Sequence, residues 1–495
     1  MIAGSASRRA VASAGDRVLL IGADGRTATG REVEDRTSRL AVALARHGLA
    51  GQRIGLWSWN SAAAIEAHLA AEWVGATRVP VDPGAPAAEA AAVFAAAKVA
   101  GVVADAAHAA DAPAGALVHD EDERLSVPGT LEAREVDGGA THLLYPRMAA
   151  QGEFLAVPIS YANWAACMQI NAELYRSGGY GGGFGGGLDS GSDAGECFLT
   201  AQQIMHGTGM LGTFPFLHMG LPQVILPRFD AAAVLEAAQR HRATATFFVP
   251  GMVTRLADAV ADAGLLAAGP LRRILYGGAP IAAADLNRAT QILGPVLVQV
   301  YGRFEGGWPL AVLGTGEHRD LAAGRSAHAS SCGRPIPQTE LRIRPAAGQA
   351  VGEPASDAAG QGTGWGELCV RNGMVVADWA DPDGWCGLGD LARLDGDGYL
   401  YLGGRLDGMI NTGSYHVYPR EVEDAMTALP FVAAALVRGE ADPVWGQAVT
   451  GYVVPAPGAP DDLAAAIRAA LRQRLASYKI PKRIIPVPTL DDLAP

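Results

Sequence analysis

Two stretches of this 495-residue chain could bring bare backbone up to a ligand. Gly277, Gly278, Ala279 and Pro280 follow a β-rich run, and their small size lets main chain lie against a flat purine or an aromatic acyl group. Residues 177–195 (SGGYGGGFGGGLDSGSDAG) carry ten glycines in nineteen positions and imitate a phosphate loop in composition. They lack the Lys-Ser/Thr that ends such a loop, and the strand predicted at 197–199 begins without a helix, so a surface loop is expected there. Cys167, Cys197, Cys332, Cys369 and Cys386 form no C-x-x-C pair. Neither a disulfide framework nor a zinc site is expected, and a reducing compartment fits best. His206 stands alone in IMHGTG (204–209); an isolated histidine of this kind is ordinarily structural unless its neighbours give it a task.

The elements that must position these residues alternate. Strands are predicted at 17–21, 53–58 and 77–81, and amphipathic helices at 30–47, 61–74 and 87–97. After residue 220 the pattern resumes, with strands at 223–226, 245–249, 273–276 and 296–301 around a helix at 231–241. Strands alternating with helices of this length imply βαβ units and a largely parallel sheet buried on both faces. Beyond about residue 333, short strands at 341–344, 366–371 and 399–402 are separated by D-G and G-D-G turns and read as antiparallel. The tail from about 405 reads as βα and ββ units ending in a helix at 461–475. The fold class is α/β: a large multi-subdomain N-terminal body of βαβ sheets with a β-rich subdomain, then a small α+β C-terminal domain.

Composition narrows the function. The formal charge, 39 basic minus 51 acidic side chains, is −12, and Lys occurs only at 98, 479 and 482. Nucleic acid and anionic membranes both call for clustered Lys and Arg, so neither is expected as a partner. No long uninterrupted apolar stretch suggests a membrane span, and no apolar core follows Arg8 and Arg9 to make a secretory signal. A cytoplasmic protein is expected.

Four segments, in order, carry a resemblance: ILYGGAPI (274–281), VQVYGRFEGGWPL (298–310), GWGELCVRN (364–372) and the run from Asp383 to Asp424. The chain resembles the adenylate-forming superfamily of acyl-CoA synthetases, adenylation domains and luciferases. The resemblance implies an AMP-binding body over 1–403, with its β-rich part at about 333–403, and a mobile small domain over 404–495. It implies that Tyr301 and Gly302, with Gly277, Gly278, Ala279 and Pro280, hold the adenine, and that Asp390 accepts both ribose hydroxyls. Arg405 would contact the nucleotide, and Glu305 would ligate Mg²⁺ between phosphates, a hard oxygen on a hard cation. His206, Phe248 and Gly306 would border the acyl pocket, and Asp407 would be the hinge on which the small domain turns.

The sequence also departs from that pattern. Phe304 replaces the threonine whose hydroxyl contacts phosphate. The stretch 144–163, which aligns with the phosphate loop, has no Lys and only Gly152, with no Ser or Thr before Ser160. Arg147 is left as a replacement cation. The sequence given stops at Pro495, short of the Gly-Lys that would place an ammonium on the α-phosphate, and Lys482 is a poor substitute. Ser414 replaces the second glycine of a turn near the thiol channel. The expected function is a divergent ATP-dependent ligase that forms an acyl- or aryl-adenylate from a small carboxylic acid. ATP or AMP with Mg²⁺ are the cofactors; CoA, the phosphopantetheine arm of an acyl carrier protein, or an amine is the acceptor. The alternatives are an ATP-independent acyl or amide transferase using a pre-activated donor, and a non-catalytic pseudo-synthetase that binds a partner.

Overall fold

A computed structural model describes residues 2–119, 131–132, 134–148, 154–177, 195–265, 267–279, 281, 283–325, 328, 331–345, 364–406, 408–413, 415–417 and 419–490. The side chains of 147, 148, 154, 155, 177, 283, 416 and 420 are outside that description.

The α/β class expected from the sequence is observed. Two sheets built around parallel strands make the body. In the first, Arg273–Gly277, Ala245–Phe248, Phe198–Thr200, Gln223–Ile225 and Val18–Gly22 run parallel, extended by Leu297–Arg303 on one side. In the second, Gly101–Ala104, Arg53–Trp57, Thr77–Pro80 and Thr141–Met148 are parallel, and Phe154–Ser160 folds back against the last. A four-stranded antiparallel sheet follows: Glu340–Arg344, Gly366–Arg371, Cys386–Leu394 and Leu400–Arg405. The final sheet pairs Val432–Asp442 with Gly446–Pro455 and has its own core around Val422, Met426, Val449 and Ile467. The division expected at 403/404 falls inside strand Leu400–Arg405.

Local chemistry explains the main helices. Thr29 and Glu32 form a reciprocal capping box for Gly30–Arg46, and Ser61 caps Ala62–Trp73. The tail differs from expectation. Its helix is only Leu463–Leu471, and a strand, Arg483–Pro486, comes after it, parallel to Gly446–Pro455. This four-residue run carries too little periodicity to be read without the partner that pairs it. Helix Ser5–Ala14, bracketed by Gly4 and Gly15 at positive φ, was not anticipated either.

The two large sheets are tied where their strands end. Asn60, just beyond strand Arg53–Trp57, donates through Nδ2 to the carbonyls of Gln202 (2.7 Å) and Leu226 (3.2 Å) and accepts from the Ile204 amide at 2.9 Å. One buried amide side chain therefore satisfies three backbone groups of the opposite sheet's loops. Deeper between the layers lies a buried polar cluster. Arg78 donates to His68 Nδ1 (3.2 Å) and His142 Nδ1 (3.0 Å), and its guanidinium lies 4.7 Å from the centre of the Trp164 ring. His142 Nε2 is 3.5 Å from Glu72, whose other oxygen accepts from Ser7 at 2.8 Å.

Burial, with Arg78 adding to it, pushes His142 down to about 4 and His68 well below the usual histidine range. Burial opposes ionisation of Glu72, but His142, His218 and Arg78 hold its carboxyl down at about 2. Both histidines bind protons more readily unfolded than folded, so stability must fall as pH drops below the unfolded value near 6.5, and Glu72 extends the loss below about 4.5. Glu66, which burial raises to about 7 against the pull of Arg36, works in the opposite sense between about 7 and 4.5 and only blunts the trend. The expected outcome is a urea midpoint that falls from pH 7 to pH 4, with a shallower fall in His68→Leu. A midpoint flat over that range would show the cluster to be protonated when folded.

Candidate active site

Strand Leu297–Arg303 delivers Tyr301, and the antiparallel pair Cys386–Leu394 and Leu400–Arg405 delivers Asp390 and Arg405 as direct cross-strand partners. Asp390 Oδ1 accepts from Arg405 Nη1 at 2.9 Å, and Oδ2 accepts from the Tyr301 hydroxyl at 2.6 Å. Arg405 also donates to the Leu388 carbonyl at 2.6 Å. Three residues predicted to touch the nucleotide are thus one hydrogen-bonded unit. Gly277 pairs with Val300 on the neighbouring strand, where a Cβ would run into the Val300 carbonyl. Gly278 turns the chain at φ 85°, a conformation that favours glycine, and Ala279 is half-buried. Gly302 is closed in by Trp308, 2.5 Å from where a Cβ would stand.

Two residues further on, the chain does something the sequence reading did not foresee. Arg303, 7 % exposed, donates to Glu305 Oε1 at 3.1 Å, and Glu305 is 4 % exposed. Burial alone would lower the Arg303 guanidinium, yet Glu305 and Asp390 hold it well above its ordinary range. Two carboxylates, Glu305 and Asp390, now face two guanidiniums, Arg303 and Arg405, out of water. A dication at Glu305 would have to enter beside Arg303 or displace it, leaving a buried charge unpaired. Among the described residues, no cluster of three or more His, Cys, Asp or Glu side chains is arranged to hold a metal ion. Glu305 as it stands is the partner of an arginine, and the surroundings do not fit Mg²⁺.

The phosphate side is equally altered. Phe304 stacks on Tyr145 (centroids 3.9 Å apart, planes 29° apart), and a Cβ on Gly207 would come within 2.6 Å of the Phe304 ring. An aromatic pair lies where the resemblance puts a hydroxyl. Tyr145 belongs to strand Thr141–Met148, whose ladder with Phe154–Ser160 runs as far as Met148 opposite Phe154. The hairpin leaves five residues, 149–153, for the connection, and these lie outside the described residues. The Arg147 backbone pairs with Leu155, and its side chain is outside the description. Backbone amides committed to a ladder cannot also wrap a triphosphate.

On the other side of Gly207, His206 sits at the entry of helix Gly207–His218. Its Nε2 is 3.2 Å from Asp82 Oδ2, and both side chains are mostly buried. The Gly84 amide donates to Asp82 Oδ1 at 2.6 Å. Burial opposes the charge on Asp82, but His206 and that amide hold its carboxyl below the usual range. The small domain closes over this pair. Tyr415 meets the imidazole edge-on (4.8 Å, 90°) and stacks on Tyr478 (4.2 Å, 13°). Next to Tyr478, the ammonium of Lys479 is shared by Glu89 of the body and Glu421 of the small domain (2.7 Å), and the Ala476 amide donates to Glu89 at 2.6 Å. Burial works against the Lys479 charge, but Glu421 and Glu89 raise it above the ordinary lysine range.

Not every predicted residue joins this group. Phe248 is fully buried in the core on the far face of its strand, against Phe229 (5.2 Å); its neighbour Phe247 faces Trp308 (5.5 Å). Gly306 is enclosed by Leu388 and Val370, and its carbonyl accepts from Asn372 at 3.0 Å. Lys482 lies 5.0 Å from the centre of the Trp445 ring, away from the group. Pro280, Asp407, Ser414 and most of the 177–195 loop lie outside the described residues. Sequence reasoning missed Arg303, Asp82, Tyr145, Tyr415 and Lys479 as site members. Arg303 carried a weak signal, an opposite charge two residues from Glu305, but the turn at 304–306 that brings the two together is not readable from spacing.

The chain matches the family of AMP-binding enzymes over residues 7–145 and 156–377, and the AMP-binding enzyme C-terminal domain over 421–493. It is 34 % identical over 308 residues to a medium/long-chain-fatty-acid–CoA ligase of Mycobacterium tuberculosis, covering 59 % of this chain and 51 % of that protein. It is 33 % identical over 301 residues to an indoleacetate–CoA ligase of Aromatoleum aromaticum, covering 58 % and 54 %. The chain spans about half the length of these curated relatives. The amide bond synthetase McbA of Marinactinospora thermotolerans superposes with a TM-score of 0.81 at 28 % identity, covering 98 % of this chain and 96 % of that one. No helix among the described residues is long and apolar enough to cross a membrane.

The buried ion pair yields a direct test. Arg303→Ser leaves Glu305 without its counter-charge, at a cost of about 3–5 kcal/mol. Thermal unfolding of the variant should begin at lower temperature, and millimolar Mg²⁺ should recover part of the loss while leaving the unsubstituted protein unmoved. A loss that Mg²⁺ does not recover would place Glu305 outside cation binding altogether.

Proposed function

The chain belongs to the AMP-binding enzyme family, and from that premise we propose that it transfers an acyl group from an acyl-adenylate to a thiol or amine, the second half of the family's ligase chemistry. The observation that carries this reading is the contrast between two halves of one pocket. Tyr301, Asp390 and Arg405 form a nucleoside-side unit next to Gly277, Gly278 and Ala279, suited to an adenosine monophosphate ester. Arg303, paired with Glu305, and Phe304, stacked on Tyr145, stand on the side that this reading gives to a triphosphate and its cation.

In this reading Asp390 and Arg405 orient the adenylate. Phe247, Trp308 and the Tyr145–Phe304 stack provide apolar walls for a small carboxylic acid, and closure of the small domain excludes water from the activated carbonyl. Similarity to CoA ligases and to an amide bond synthetase supports CoA, a phosphopantetheine arm or an amine as acceptor. Complete ATP-dependent ligation is the second reading, favoured by the family and by the retention of Glu305 and Asp390. It asks the chain to stabilise a departing pyrophosphate with few of the usual donors, and a single such donor is commonly worth about 10²–10³ in rate.

Synthetic benzoyl- and octanoyl-adenylate, offered with CoA or hydroxylamine, separate the two. The expected result is acyl transfer from the adenylate with pyrophosphate–ATP exchange slower by more than about a hundredfold. Exchange as fast as transfer would establish the complete ligase, and inertness toward every adenylate would leave a partner-binding pseudo-synthetase.

A further inference from the structure

We propose that His206, held by Asp82, is the general base that deprotonates the acceptor nucleophile in this acyl transfer, an inference that rests on the transfer reading above. The geometry is that of a base with its orienting carboxylate. Nε2 lies 3.2 Å from Asp82 Oδ2, an ion-pair contact between two mostly buried side chains that places a carboxylate against the ring. Asp82 is itself fixed: the Gly84 amide holds its other oxygen, and its carbonyl accepts from Trp57 Nε1 at 3.1 Å. Each member comes from a different sheet of the body, and Asn60 ties those sheets together four and two residues from His206, at Gln202 and Ile204.

The position is right for the acceptor. Gly207, next in sequence, touches Phe304, and Phe304 lies between Arg303 and Glu305 of the nucleotide-side cluster. The groups facing the imidazole are Asp82 from the body and the rings of Tyr415 and Tyr478 from the small domain. Behind those rings stand Tyr145 and the Lys479 ammonium, the latter balanced by Glu89 and Glu421. Asp82 is therefore the one unbalanced charge in contact with His206 among the described residues. The base is roofed by aromatic rings only while the small domain is docked, which couples deprotonation to exclusion of water.

The step balances. The neutral acceptor nitrogen or sulfur attacks the acyl carbonyl carbon while the His206 imidazole takes its proton, forming an imidazolium whose charge Asp82 offsets. The bond from the acyl carbon to the phosphate oxygen breaks, AMP leaves with that electron pair, and the imidazolium returns its proton to water. Nothing is oxidised or reduced.

Nucleophiles that do and do not need deprotonation provide the test. A neutral alkylamine must shed a nitrogen proton as it is acylated, whereas thiophenolate, already ionised at mildly alkaline pH, has none to lose. With benzoyl-adenylate as donor, His206→Ala and His206→Gln should lose about 10²–10⁴-fold in transfer to the alkylamine and stay within about threefold with thiophenolate. Asp82→Asn should lower transfer to the alkylamine selectively in the same way, because the imidazolium loses its counter-charge. Parallel losses with both nucleophiles, or no loss with either, would overturn the base while the transfer reading stands. Unsubstituted protein inert toward both nucleophiles would overturn the transfer reading and this inference with it.

Discussion

Arg303 brings a permanent positive charge into a pocket where Glu305 and Asp390 are already out of water, and much of the site follows from balancing it. A buried guanidinium with no carboxylate is prohibitive, and a buried carboxylate with two cations is little better. The four charges settle as two pairs, Arg303 with Glu305 and Arg405 with Asp390, the second also accepting from the Tyr301 hydroxyl. That arrangement orients Asp390 and Arg405 without any ligand. It also removes from Glu305 the free negative charge that would draw a dication.

A second set of constraints decides where the small domain sits. Its contact with the body is anchored by Lys479, which cannot leave Glu89 and Glu421 without exposing two carboxylates held in a largely apolar seam. The same seam stacks Tyr415 on Tyr478 above His206. Asn60 acts one layer below, fixing the loops from which Asp82 and His206 project relative to each other. The His–Asp pair is thus a junction of three units, held by the Asn60 amide on one side and the Lys479 ammonium on the other.

How much of this could be read beforehand depends on range. The parallel body, the antiparallel sheet after residue 333 and helices such as Gly30–Arg46 were legible, because capping boxes and periodicity are local. The strand Arg483–Pro486 was not, since four residues become a strand only through pairing with Gly446–Pro455. At the site, Tyr301, Glu305, Asp390 and Arg405 could be singled out by motif, but the partner of each could not. Glu305 reads as a metal ligand until Arg303 is seen to turn toward it. Phe248 and Phe247 are indistinguishable in sequence, and only the register of their strand decides which faces Trp308. Asp82 and His206 are more than a hundred residues apart, and no local rule joins them.

The alterations share a location, and that is the strongest argument about chemistry. Arg303 ends its strand and Phe304 opens the turn after it, stacked on Tyr145, whereas Asp390, Arg405 and the His206–Asp82 pair keep polar groups in contact. Random decay of a binding site would scatter its losses. A site relieved of one task would lose the groups for that task alone. Handling a triphosphate needs a wet, cationic, flexible cradle, because charge has to be met as pyrophosphate departs. Handling an adenylate needs the reverse: the carbonyl is already activated, and its chief hazard is water. In the proposed reading, the Tyr145–Phe304 stack, a glutamate paired with Arg303 and the rings of Tyr415 and Tyr478 act in one direction, replacing solvated charge by packed aromatic surface, which suits transfer from an adenylate better than activation of an acid.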